Sequence, residues 1–313
     1  MTAARALRRH ARFAFLLLAL AQAACAQRSG TEVSAPFTGS AEAALRWNQP
    51  AVRADCPDRA GYLWVQPAAG PACIRYFASD GIDGARIAIV QFSGDRDDVM
   101  DQPPTRIAGN TEALRTRDAQ RNRERAGVPW IFMARPGTYG SSGDHGRRRR
   151  LAEEFAPIDA ALEALKRRHG IAQFVLVGHS GGATAAAAML TLGRTDLRCV
   201  VMTSAAFAYE ERVRLRLEMA GEGPPSARAL AAVQGMYDPL AHIGAVVRDD
   251  RRQLFVLGNP ADNVTPFVLQ RRFADALSRA GHRVTLREVQ TLPPEYHDMR
   301  GQPALETARD CAR

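Results

Sequence analysis

Six short apolar runs are spaced along the chain from residue 86 onward: "RIAIVQF" (86–92), "PWIFMAR" (129–135), "QFVLVG" (173–178), "CVVMTS" (199–204), "QLFVLGN" (253–259) and "VTLREV" (284–289). The first four are nearly continuous in apolar residues, as strands covered on both faces require. Between most of the runs the pattern turns helical. Phe155, Ile158, Leu162 and Leu165 mark the clearest helix, expected to open near Pro157 and to close at Gly170 after Lys166, Arg167 and Arg168. Residues 111–125 and 268–282 are further helix candidates. Ahead of this alternation, "GYLWVQ" (61–66) and "CIRYFAS" (73–79) flank the turn-rich "PAAGPA" and predict a hairpin. The pattern specifies an α/β fold: a doubly wound, mostly parallel eight-stranded sheet with an N-terminal antiparallel hairpin. One domain is expected over residues 46–313, with a small helical cap within 205–252. Residues 27–45 are small, polar and aperiodic, and are expected to form a flexible leader.

The first 26 residues bear on location rather than fold. Arg5, Arg8, Arg9 and Arg12 precede the apolar "FAFLLLALA" (13–21), and "ACA" (24–26) supplies small residues for cleavage near Ala26. This is the layout of an export signal, and it predicts a secreted or periplasmic bacterial protein. The apolar segment is too short for a permanent anchor, and no other run reaches the ~18 apolar residues that one needs, so no stable membrane insertion is expected. A lipid anchor at Cys25 is disfavoured because Gln22 stands where bacterial lipoprotein signals usually carry an aliphatic residue. Cleavage leaves Cys56, Cys73, Cys199 and Cys311, an even set in an oxidising compartment. Of the three pairings, Cys56–Cys73 with Cys199–Cys311 is the expected one.

Charge adds little. The formal net charge of +9 drops to +5 without the four signal arginines, and Lys166 is the only lysine. The one dense run, "RRRR" at 147–150, lacks interleaved aromatics and is followed by Glu153 and Glu154, so it reads as a solvated face. No nucleic-acid partner is expected, and nothing in the pattern specifies an oligomeric state.

The chemistry concentrates in "LVGHSGG", where a strand gives way to an alanine-rich helix. Gly178 and Gly182 flank Ser180 in the G-x-S-x-G spacing of a nucleophile elbow, a strained turn that exposes a serine at the carboxyl end of a strand. A serine nucleophile needs a base and the base needs an orienting acid, which follow in the order acid, then histidine. Asp262 lies just past a later strand and suits the acid; Asp238 competes but follows no strand. His297, in the loop after the last strand, suits the base; His282, at a helix end, is the alternative. Neither an H-E-x-x-H pattern nor zinc-like cysteine spacing is present, and no cofactor fingerprint is visible, so neither metal nor cofactor is expected.

Over roughly residues 60–300 the chain resembles the α/β-hydrolase superfamily, nearest its dienelactone-hydrolase and prolyl-oligopeptidase-like branches. The residues that carry this are "GHSGG" around Ser180, "NPADNVTP" around Asp262 and "YHD" around His297. "ARPGTYGSSGD" (134–144) resembles the superfamily's pocket-bordering loop after the fourth strand. "FSGD" (92–95) departs from it, with Ser93 where a His-Gly pair commonly begins. The resemblance implies an oxyanion hole of two backbone amides, Gly181 and one from Gly94 or Asp95. It also implies an exported serine hydrolase acting on a small-molecule ester. Peptide cleavage of the prolyl-oligopeptidase type, acyl transfer, and a catalytically silent binding domain are the alternatives.

Overall fold

The turn Pro67–Gly70 joins β1 (Tyr62–Val65) to β2 (Ala72–Ala78) as an antiparallel hairpin, with the Gly70 amide bonded to the Pro67 carbonyl at 2.9 Å. The remaining strands are β3 (Ile87–Phe92), β4 (Trp130–Met133), β5 (Gln173–His179), β6 (Leu197–Thr203), β7 (Gln253–Gly258) and β8 (Val284–Glu288). In this computed structural model, which describes residues 43–299 and 301–313, they form one sheet in the order β1-β2-β4-β3-β5-β6-β7-β8. β2 pairs antiparallel with both neighbours, and every later pairing is parallel. The eight strands match the runs read from the sequence to within about two residues, the usual uncertainty of strand ends. The export signal and most of the leader lie outside the described residues.

Helices cover both faces, which is why the central strands tolerate unbroken apolar sequence. They are α1 (Glu112–Ala126), α2 (His145–Arg148), α3 (Ala152–His169), α4 (Gly181–Thr191), α5 (Tyr209–Met219), α6 (Ala227–Ala231), α7 (Phe267–Arg279) and α8 (Gln302–Ala312). On one face α3, α4 and α7 bury Phe155, Ile158, Leu162, Ala186 and Phe273 against Val90, Leu176 and Val200. On the other, α1 and α8 bury Ala119, Leu305 and Ala308 against Ile89, Val175 and Val201. The expected cap is α5, α6 and a 3-10 segment, Pro239–Ala245.

Three expectations need correction. α3 opens at Ala152, one and a half turns before Pro157, so the proline lies inside the helix rather than in its first turn. Leu151 holds the cap position without a side-chain bond; Glu153 and Glu154 supply the acidic first turn instead. Within the "RRRR" run only part of the face is solvated. Arg147 is 88% exposed, whereas Arg150 is buried and ion-paired with Asp95. The leader also stops short of residue 45, because Leu45 is buried with Phe77, Phe132 and Tyr139. Its amide bonds the Asn110 carbonyl, and Trp47 Nε1 bonds Asn110 Oδ1, both at 2.9 Å.

Both disulfides pair as expected: Cys56–Cys73 with Cα atoms 5.7 Å apart and Cys199–Cys311 at 6.1 Å. The second ties α8 to β6. Among the described residues, no helix is long and apolar enough to cross a membrane.

Candidate active site

β5 delivers Ser180 to the rim of the sheet, and α4 begins at the next residue. The serine backbone has φ 52° and ψ −123°, a conformation rare for a residue with a side chain. The flanking glycines are required by close backbone approach. A Cβ on Gly178 would stand 2.2 Å from the Gly182 carbonyl oxygen, and one on Gly182 would stand 2.3 Å from the Phe92 carbonyl oxygen. The tight helix–strand contact extends along the buried alanines of α4. The Ser180 amide is fixed by the Thr203 carbonyl at 2.9 Å, and among the described residues its hydroxyl has no hydrogen-bond partner.

Asp262 and His297 come together across 35 residues of chain. Asp262 is fully buried in the turn after β7, and His297 Nδ1 lies 2.9 Å from its Oδ2. With the carboxylate as acceptor, Nδ1 carries the proton and Nε2 keeps its lone pair. Oδ1 accepts from the amides of Val264 at 2.9 Å and Thr265 at 2.8 Å. Thr265 Oγ1 lies 2.9 Å from Oδ2. The histidine loop is held in turn: Ser204 Oγ donates to the His297 carbonyl at 3.0 Å, and the Asn263 amide to the Glu295 carbonyl at 3.2 Å. Neither Thr265 nor Ser204 stood out in the sequence; their roles depend on loops that meet only in the fold.

The His297 ring packs on His179, the residue before the serine, with centroids 4.9 Å apart. Thr203 Oγ1 donates to the Gly178 carbonyl at 2.9 Å and so accepts from His179 Nδ1 at 3.2 Å. Burial, reinforced by His297, lowers the His179 pKa to about 4 and keeps it neutral. The two alternative candidates stand in other settings. Asp238 caps the 3-10 segment and accepts from the amides of Leu240 and Ala208. His282 lies just past α7, its amide on the Leu277 carbonyl at 3.1 Å.

Gly181 opens α4, so the helix leaves its amide unused. The Ser93–Asp95 loop runs beside it: a Cβ on Gly94 would lie 3.3 Å from Ser180 Cβ and 3.2 Å from the His179 carbonyl oxygen. The Asp95 side chain lies against Gly181, where a Cβ would stand 2.1 Å from its Oδ1, and belongs to a buried ionic cluster that the sequence did not reveal. Fully buried Arg135 donates from Nη1 to Asp95 Oδ1 at 2.8 Å and from Nε to Glu154 Oε1 at 2.6 Å. Arg150 pairs with Asp95 Oδ2 through Nη2 and with Glu154 through its backbone amide. Burial works to raise the Asp95 pKa, but Arg135, Arg150 and His145 hold it well below the carboxylate range. His145 Nε2 lies 3.6 Å from Asp95 Oδ1, and burial with Arg135 lowers its pKa to about 3. A charged residue just past a strand, as in "MARPG", was the only local hint of Arg135.

Among the described residues, no group of three or more His, Cys, Asp or Glu side chains is arranged to hold a metal ion. The family profile of serine aminopeptidase, S33, matches residues 124–261, from the end of α1 through the elbow and cap to the residue before Asp262. No curated protein matches the sequence. Among solved structures, prolyl oligopeptidase B from Galerina marginata superposes with a TM-score of 0.53 at 14% identity, covering 80% of this chain and 36% of that one. Acylaminoacyl peptidase from Pyrococcus horikoshii gives 0.51 at 14%, covering 79% and 39%. An esterase from Pyrococcus furiosus gives 0.51 at 10%, covering 85% and 95%. The chain thus spans about two fifths of the length of these peptidases and nearly all of the esterase. At such identities the likeness is one of fold.

Proposed function

We propose that this chain, a member of the α/β-hydrolase superfamily, is an exported serine hydrolase that cleaves carboxylic esters through an acyl-enzyme. The observation that carries the reading is the buried Asp262–His297 hydrogen bond of 2.9 Å, whose ring packs against the residue before a serine with positive φ. In this reading His297 Nε2 takes the Ser180 proton as Oγ bonds the substrate carbonyl carbon. The carbonyl oxygen becomes an oxyanion, received by the Gly181 amide and by one from Gly94 or Asp95. Collapse of that intermediate breaks the ester bond, and the leaving alkoxide takes the proton from His297. Water, deprotonated by the same Nε2, attacks the acyl-enzyme, which releases the acid and restores the Ser180 hydroxyl. Asp262 holds the imidazole tautomer throughout. Two disulfides support export to an oxidising compartment.

The aminopeptidase profile favours a second reading, in which the same groups cleave an amide. Hydrolysis of p-nitrophenyl acetate and butyrate, compared with a panel of amino-acid p-nitroanilides, separates the two. Labelling of Ser180 by a fluorophosphonate probe is expected, and Ser180→Ala should abolish both labelling and turnover. Undiminished labelling of the alanine variant would remove Ser180 from the chemistry.

A further inference from the structure

Arg212, on the cap helix α5, is a cation with no acid to match it. Its Nε donates to the Val264 carbonyl at 3.0 Å. Among the described residues, Nη1 and Nη2 have no hydrogen-bond partner and no carboxylate lies within ion-pairing distance. Burial is the main reason its pKa falls to about 10, and repulsion from Arg150 and Arg216 lowers it further.

Its location is fixed from two sides. Val264, which accepts from Arg212, also gives its amide to Asp262 Oδ1. One turn earlier on α5, the ring of buried Tyr209 lies 5.9 Å from the Arg150 guanidinium. Arg150 pairs with Asp95, whose Oδ1 lies only 2.1 Å from where a Cβ on Gly181 would be. Arg212 therefore lies against the turn that carries the acid, on the helix whose Tyr209 ring packs on the Arg150–Asp95 pair. Asp95 and Glu154 are taken up by Arg135 and Arg150, and Asp262 by His297 and the Val264 and Thr265 amides, so none of these carboxylates pairs with Arg212. A half-buried guanidinium with no carboxylate partner, beside the turn that carries Asp262, is placed to receive an anion supplied from outside.

We propose that Arg212, backed by Arg150, receives a carboxylate carried by the substrate, so that the preferred esters are half-esters of short dicarboxylic acids. Two unengaged nitrogens on a planar guanidinium form the fork that takes a carboxylate through parallel hydrogen bonds. The inference rests on Ser180 being the nucleophile, and binding tests it separately from turnover.

Calorimetric titration of the Ser180→Ala protein with monomethyl succinate and dimethyl succinate is the direct measurement. The half-ester is expected to bind about tenfold tighter or more, the worth of one charge-assisted pair. Arg212→Gln in the same background should erase the difference. Arg212→Lys, which keeps charge without the fork, should retain part of it and stands in should the glutamine variant misfold. In the active protein, the kcat/KM ratio of mono-p-nitrophenyl succinate to its methyl ester should fall by a similar factor in Arg212→Gln. Equal affinity of Ser180→Ala for acid and diester overturns the subsite, as does an Arg212→Gln variant that loses both turnovers equally. Failure of every ester, with no fluorophosphonate labelling, would instead overturn the hydrolase reading, and the calorimetric difference would still decide the subsite.

Discussion

Ser180 can stand in its strained conformation only because Gly178 and Gly182, two residues away on either side, have no side chains. Gly182→Ala would drive a methyl group into the Phe92 carbonyl, a backbone atom of β3 with no freedom to swing aside. We expect this variant to lose about 2–4 kcal/mol of stability, in the upper range for single substitutions, and to lose probe labelling; urea denaturation and active-site titration measure the two effects. At this scale the glycines, the serine, Asp262 and His297 were legible because each sits in a local context that its own chain segment supplies. Arg135, Arg150 and Arg212 were not. An arginine in a run of four reads as solvated until an acid 55 residues away, Asp95, is folded against it.

Among elements, α8 is held by a covalent bond to the sheet. It follows the loop that carries His297, and the Cys199–Cys311 disulfide joins its last turn to β6 across a separation of 112 residues. Replacing both cysteines by serine should lower stability by about 5 kcal/mol in a chain-entropy account of so long a loop. The histidine loop should loosen with it, so activity in rising urea should disappear ahead of the global far-ultraviolet transition. Coincidence of the two curves would show that α8 is secured by packing alone. Periodicity located every strand but placed the start of α3 about a turn late, because Pro157 resembled a first-turn residue. Acidic residues at Glu153 and Glu154 were the better marker, since negative charge in the first turn complements the positive end of the helix dipole.

Across the whole molecule, the buried histidines set a pH limit. His145 titrates near 3 and His179 near 4 in the folded chain, against 6.5 for each when unfolded. Below pH 6.5 the unfolded chain therefore binds protons that the folded one refuses, so stability falls as pH falls. For fully buried His145 the slope approaches roughly 1.4 kcal/mol per pH unit. Asp95 acts in the same direction further down: its lowered pKa stabilises the fold above the ordinary carboxylate range, and that share is lost on acidification. Urea midpoints measured from pH 7 to pH 4 should decline steadily, and His145→Asn should flatten the decline.

The short stretch around Leu45 and Trp47 governs where a recombinant gene can begin. The Asn48 amide donates to the Gly137 carbonyl and its side-chain oxygen accepts from the His145 amide, while the Arg46 carbonyl accepts from the Gly140 amide. A coding region trimmed to Gln49 would unstitch the segment leading to Arg150 while leaving every presumed reactive group in place. Such a product would fold yet handle acidic substrates poorly, a defect easily mistaken for a lost nucleophile.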